Sequence, residues 1–324
     1  MKLDVELDIW PLRRPFIIAR SDYREIVTVT AVVTDGDHRG RGEAIGVDYL
    51  DETPDSIAAA IDGVKRNIEY GIDRGDLRGL LPAGGARNAV DCALLDLEAK
   101  KAGRRAWDLL GVDVQSVRTM FTLSLADATI MASEALEREG YPVLKVKLDE
   151  QDTADKIRAI RAARPDADIV IDANGSWNIE LLDTLADVLL ENRIGMVEQP
   201  LPHGEDHILE GSLFPIALCA DESCQSTADI EYAAERYTMI NIKLDKCGGL
   251  TEAMRIIDWC RHNGLQAMVG NMIGSSLAMA PAFIPAQFCR YVDLDGPLLQ
   301  ARDREHAIDC RNGIMAAPEA ELWG

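Results

Sequence analysis

Eight short apolar runs, evenly spaced through the last two thirds of the chain, restrict its fold more than any other feature. They are FTLSL (121–125), VLKVKL (143–148), DIVIDA (168–173), GMVEQ (195–199), IALCAD (216–221), MINIKL (239–244), QAMVG (266–270) and YVDLD (291–295). Markers near the ends of consecutive runs lie 22–27 residues apart, the length one strand–helix unit needs. Eight such units predict an α/β fold with a parallel barrel, although an open doubly wound sheet would give the same alternation. The residues before Thr119 follow another pattern. Leu3, Val5, Leu7 and Ile9 alternate with Asp4, Glu6 and Asp8, the period of a half-buried strand. A β-rich run over 26–33 ends at the turn signal Asp35-Gly36. Thr53-Pro54 opens a helix to about Tyr70. A second helix, about 86–101, places Val90, Ala93, Leu94 and Leu97 on one face, with Gly103 past its end. An α+β unit is therefore expected over 1–112, closing near Gly111-Val112-Asp113, with the barrel over 113–296 and a final segment, about 297–324, joined to the first unit.

The polar residues that interrupt these runs carry the chemistry. A barrel interior rejects unpaired charge, because a buried lone ion costs several kcal/mol. Lys145 and Lys147 nevertheless lie in the second run, Asp172, Glu198 and Asp221 in the next three, Lys243 in the sixth, and Asp293 and Asp295 in the eighth. Each stands at or near the C-terminal end of its strand, where barrel active sites assemble. Any one acid could simply cap the helix that follows. Three on successive strands would converge at the barrel mouth and repel one another unless a hard cation joined them, and oxygen-only ligation suits Mg²⁺. Lys145 and Lys147, two apart, share a strand face. Their mutual repulsion should lower the pKa of one, fitting it to act as a general base. Lys243, four strands on, approaches from the opposite side. One lysine would remove a proton alpha to a metal-bound carboxylate, and the metal and a neighbouring cation would stabilise the enediolate. The other lysine would return the proton from the far face, a racemisation or epimerisation.

Composition removes other classes. A net charge of −21 over 324 residues lacks the basic footprint that phosphate recognition requires, so no nucleic-acid partner is expected. The uncharged stretch 263–289 holds Gly264, Gly270, Gly274, Pro281 and Pro285, which suits a buried strand–loop–helix better than a membrane span. The N-terminus has no continuous apolar core of a signal peptide. Seven cysteines without a CxxC pair suggest reduced thiols and a cytoplasmic location. Cys219 and Cys224, flanking ADES without a base partner, read as packing residues. The five histidines form no HExxH zinc pattern.

The motifs LKVKLD, IDANGSW, VEQPLP, ADES and NIKLDKCGG, in this order and spacing, together with PFIIAR near the start, resemble the enolase superfamily and within it the muconate-lactonising subgroup. The resemblance implies a modified (β/α)7β TIM barrel with an N-terminal α+β capping domain. It implies one Mg²⁺ per subunit held by Asp172, Glu198 and Asp221, with Lys147 and Lys243 as acid/base catalysts. Lys145 becomes an electrostatic neighbour, and Asn174 an orienting residue. Lys246 competes for the role of Lys243, which is preferred because it sits at the strand end. By resemblance to dipeptide epimerases, Asp293 and Asp295 would bind a substrate α-ammonium; a turn pair before Gly296-Pro297 is the plainer alternative. Arg20, or else Arg24, would meet a distal carboxylate, with Thr122 as a hydrogen-bond partner. The expected activity is epimerisation of a dipeptide such as L-Ala-D/L-Glu, of the kind released from cell-wall peptide, with homo-oligomeric assembly. Another subgroup reaction (N-acylamino acid racemisation, o-succinylbenzoate synthesis or muconate cycloisomerisation) and a non-catalytic binding barrel remain as alternatives.

Overall fold

The computed structural model describes residues 1–18 and 21–324. The N-terminal part is a three-stranded antiparallel sheet, Lys2–Ile18, Ser21–Asp35 and His38–Ala44, in that spatial order. Gly36, at φ 59°, makes the turn that Asp35-Gly36 predicts. Helices Pro54–Glu69 and Gly85–Ala102 cover one sheet face. The first begins where Thr53 accepts from Ser56 N and Ser56 Oγ accepts from Thr53 N, a reciprocal cap. The second lies against the sheet at Gly40 and Gly42. A Cβ there would come within 2.1 Å of Ala93 O and 2.2 Å of Ala89 O, so only glycine admits this approach. The first strand departs from its alternation: Leu3 is buried, but Leu7 and Ile9 are half exposed.

All eight runs form strands. Phe121–Leu123, Val143–Lys147, Asp168–Asp172, Ile194–Glu198, Ala217–Ala220, Met239–Lys243, Gln266–Gly270 and Tyr291–Val292 pair in chain order in one parallel sheet. Met120 N donates to Val292 O at 2.9 Å, so the eighth strand curls back to the first. The period of two then sorts the interior into layers. Met120, Val143, Val170, Met196, Cys219, Met239, Met268 and Tyr291 make one apolar layer. Two residues further along each strand stand Thr122, Lys145, Asp172, Glu198, Asp221, Asn241, Gly270 and Asp293. The lower layer is packing and the upper one is almost wholly polar. Gly270 is the exception, since a Cβ there would meet Asn241 Oδ1 at 2.6 Å.

Helices Ala128–Glu137, Thr153–Ala163, Ile179–Glu191 and Leu250–Asn263 pack outside the strands, while the fourth connection carries a 3-10 turn, Asp206–Leu209. Most of the segment 263–289 is interior, with Asn263, Gly264 and Gln266 exposed at its start, and among the described residues no helix is long and apolar enough to cross a membrane. The C-terminal segment touches both parts of the chain. Ala301 N donates to Pro11 O at 2.8 Å, and Arg304 reaches the N-terminal sheet at Asp8, Thr30 and Glu43. A hairpin of Cys310–Arg311 and Ile314–Met315 pairs with Val117–Arg118 ahead of the first barrel strand.

Candidate active site

The upper interior layer opens into a cavity of about 550 Å³. Its floor is barrel, including Lys145, Lys147, Asp221, Lys243 and Asp293; its roof is the N-terminal part, including Phe16, Tyr23, Ile26, Tyr49 and Glu52. Parallel register sets neighbours side by side, Lys147 beside Asp172 and Asp172 beside Glu198.

Lys145 Nζ lies 2.9 Å from Asp172 Oδ2, 2.8 Å from Glu198 Oε2 and 2.9 Å from Asp293 Oδ2. Lys147 Nζ donates to Asp172 Oδ2 at 2.6 Å and to Asn174 Oδ1 at 3.0 Å. Across the barrel, Lys243 Nζ meets Asp221 Oδ2 at 2.7 Å. Lys246 meets Asp221 Oδ1 at 2.6 Å but also donates to the carbonyls of Asp221, Cys224 and Asn241, and it does not line the cavity. The lowering expected for one lysine of the pair does not fall on Lys145. Burial does act downward, but Asp172, Asp293 and Glu198 outweigh it and raise the ammonium's pKa well above the ordinary lysine value. Burial likewise pulls Lys243 down, and Asp221 and Glu198 carry it up.

The carboxylates diverge for the same reasons. Burial would raise Asp172, but Lys145 and Lys147 hold it well below the carboxylate range. Asp221 is held low against burial by Lys243 and Lys246. Glu198, buried and facing Asp172, is pushed up to about 7, as are Glu222 and Asp295. Asp293 bonds Lys145, while Asp295 accepts from Thr122 N at 2.7 Å. Arg24 is exposed beside Asp22 at 3.7 Å and does not line the cavity; Arg20 lies outside the described residues.

Three polar residues near the acids escaped the sequence reading. Asn241 donates to Glu198 Oε1 at 2.6 Å; its signal was a polar residue two before Lys243 in an apolar strand. Glu222 faces the cavity, with Asn174 Nδ2 at 3.5 Å from its Oε1. Gln199 Oε1 accepts from Asp221 N at 3.0 Å, and its only sequence mark was adjacency to Glu198.

Among the described residues, no three acids form a ready-made metal cage. The Lys145 ammonium stands between Asp172 and Glu198, and Asp221 turns to Lys243 and Lys246. The donor set still fits a hard dication. Asp172, Glu198, Asp221, Glu222, Asp293 and Asp295 are all buried against four buried ammonium groups, Lys145, Lys147, Lys243 and Lys246, a formal excess of two negative charges. Glu222 Oε2 and Asp293 Oδ1 lack a hydrogen-bond partner, and Glu198 Oε2 has only its ionic contact with Lys145. Oxygen ligands with surplus negative charge are what Mg²⁺ takes.

A barrel whose inner rim carries acids and lysines, roofed by an α+β unit, defines a class, and sequence comparison places the chain in it. Residues 2–111 match the mandelate racemase/muconate lactonizing enzyme N-terminal domain, and 128–321 the enolase C-terminal domain-like family. The chain belongs to this branch of the enolase superfamily and is an isomerase. It is 38% identical over 311 residues to the L-Ala-D/L-Glu epimerase of Escherichia coli (strain K12), covering 95% of this chain and 97% of that one. It is equally 38% identical over 301 residues to an N-acetyl-D-glutamate racemase of Pseudoalteromonas sp, covering 91% and 95%. An enolase family member from Agrobacterium tumefaciens, solved with sodium and L-Ala-L-Glu, superposes with a TM-score of 0.97 at 40% identity, covering 100% of this chain and 99% of that chain.

Proposed function

We propose that the protein is a Mg²⁺-dependent dipeptide epimerase that inverts the α-carbon of the C-terminal residue, with L-Ala-D/L-Glu as substrate. The observation that carries this reading is the pair Lys147 and Lys243, on the second and sixth of eight strands, each anchored to a carboxylate and each opening onto one cavity. In this reading Asp172, Glu198 and Asp221 would hold the metal, which when bound would supply positive charge that favours loss of the α-hydrogen next to a carboxylate. Lys147 accepts the proton on one face while the Lys243 ammonium delivers one to the other, and the roles exchange for the reverse reaction. Lys145 provides fixed positive charge between Asp172 and Glu198. Asn174 holds the Lys147 amine in place. Asp293 and Asp295 receive the substrate's free ammonium, Thr122 steadies Asp295, and Arg20 meets the distal carboxylate.

The test is solvent exchange in D₂O with Mg²⁺, following each stereoisomer separately. Lys147→Ala and Lys243→Ala should each lower epimerisation by about a thousandfold. Each variant should keep α-deuterium exchange from one isomer, and the two isomers should differ. Loss of exchange from the same isomer in both variants would remove the two-face assignment.

A second reading, racemisation of an N-acylated glutamate, is favoured by the equal identity to the N-acetyl-D-glutamate racemase. The two separate on Asp293→Asn. Turnover of a free-amine dipeptide should fall well below that of N-acetylglutamate if the acids bind an ammonium. An unchanged ratio would favour the acylated substrate.

A further inference from the structure

The loop bearing Asp221 is held from behind by a buried polar network that lines no part of the cavity. Gln199, directly after Glu198, is fully buried with φ at 35°, a left-handed conformation rare for residues other than glycine. Its Oε1 accepts from Asp221 N at 3.0 Å and Ser223 N at 3.1 Å. Its Nε2 faces Ser223 Oγ at 2.8 Å, Leu201 O at 2.9 Å and Tyr237 OH at 3.1 Å. Ser223 Oγ donates onward to Asp206 Oδ2, and Tyr237 OH donates to the same oxygen at 2.7 Å. Asp206 is wholly buried on the turn Asp206–Leu209, and its other oxygen takes the Tyr232 hydroxyl at 2.7 Å. One side chain thus ties the strand end carrying Glu198 to the main chain of Asp221, and a buried carboxylate anchors that side chain through two hydroxyls.

We propose that Gln199, Ser223, Tyr237 and Asp206 form a clamp that fixes Glu198 relative to Asp221 and so sets the affinity of the site for its divalent cation. The inference rests on the metal ligands assigned above. These are positioning residues: the ligands of a metal are held by hydrogen bonds behind them, and loosening those bonds weakens binding.

Three hydroxyl deletions separate positioning from mere support. Ser223→Ala and Tyr237→Phe cut the links between Gln199 and Asp206, whereas Tyr232→Phe removes a hydroxyl that bonds Asp206 alone. After chelator treatment, each protein is titrated with Mn²⁺ and the free ion followed by electron paramagnetic resonance. Ser223→Ala and Tyr237→Phe should each raise the Mn²⁺ Kd about tenfold, and Tyr232→Phe should stay within about twofold, though all three lower the melting temperature. Unchanged affinity in the first two, or equal loss in Tyr232→Phe, overturns the clamp. Should Ser223→Ala fail to fold, Tyr237→Phe decides by itself. If the wild-type chain takes up no Mn²⁺, the ligand assignment falls and the clamp with it; if only the variants match wild type, the assignment stands.

Discussion

Lys243 and Lys246 stand three residues apart in one motif, and both bond Asp221, yet their surroundings divide them. Lys243 faces the cavity; Lys246 is almost wholly buried behind it, satisfying three main-chain carbonyls besides the carboxylate. Lys246→Met would leave those carbonyl oxygens and Asp221 Oδ1 without this donor, while Lys243 still pairs Asp221 Oδ2, so it should cost about 1–3 kcal/mol of stability, read as a shifted denaturant midpoint. A variant as stable as wild type would show that the ammonium contributes no net stability. The strand-end position favoured Lys243 in the sequence, and of the two lysines Lys243 is the one that lines the cavity. What the sequence could not disclose was the electrostatic balance. Lys145 and Lys147 are neighbours in the chain, so their repulsion was legible. The carboxylates that raise Lys145 arrive from the third and fourth strands, set beside it by parallel pairing, and from the eighth, brought round by barrel closure.

At the scale of elements, the eight strands were readable because each has a short, mainly apolar run bounded by polar loops. The hairpin Cys310–Arg311/Ile314–Met315 was not, because two-residue strands have no period to detect, and only the Asn312-Gly313 turn, both residues at positive φ, marked it. A further link between elements also went unread. Asp245, in the short helix Leu244–Cys247 after the sixth barrel strand, accepts from Ile45 N at 2.9 Å and Gly46 N at 3.2 Å, holding the roof loop to the floor. Burial, aided by Glu52, lifts its carboxyl to about 7 from 3.8, against the hydrogen bonds from Ile45, Gly46 and Asn88. The folded state therefore holds this proton more tightly than the unfolded chain, and the stability this group contributes falls as pH rises from about 4 to 7, then levels. Asp245→Asn keeps an acceptor oxygen and removes the ionisation. It should flatten that part of the stability profile and gain at least about 1 kcal/mol at pH 8. An unaltered slope in urea unfolding would count against the assignment.

For the whole molecule, the decisive fact is that the cavity has two makers: the floor is barrel and the roof is the N-terminal part. Arg304 is one rivet between them. It meets Glu43 at 2.5 Å and Asp8 at 2.9 Å on the N-terminal sheet, and Ser275 Oγ at 3.1 Å on the barrel side. Glu43 is nearly inaccessible to solvent, so Arg304→Met should cost about 3–5 kcal/mol through an uncompensated buried charge. The melting temperature should fall, and the folded fraction should still bind metal. A melting temperature equal to wild type would exclude that role. The placement of Lys147 and Lys243 half a barrel apart has a consequence for the cell as well. In the proposed reaction both hands of the substrate fit one chamber and use the same two amines in reversed parts, so the catalyst has no preferred direction. Flux then follows supply and demand: whichever downstream enzyme withdraws one stereoisomer pulls the other through.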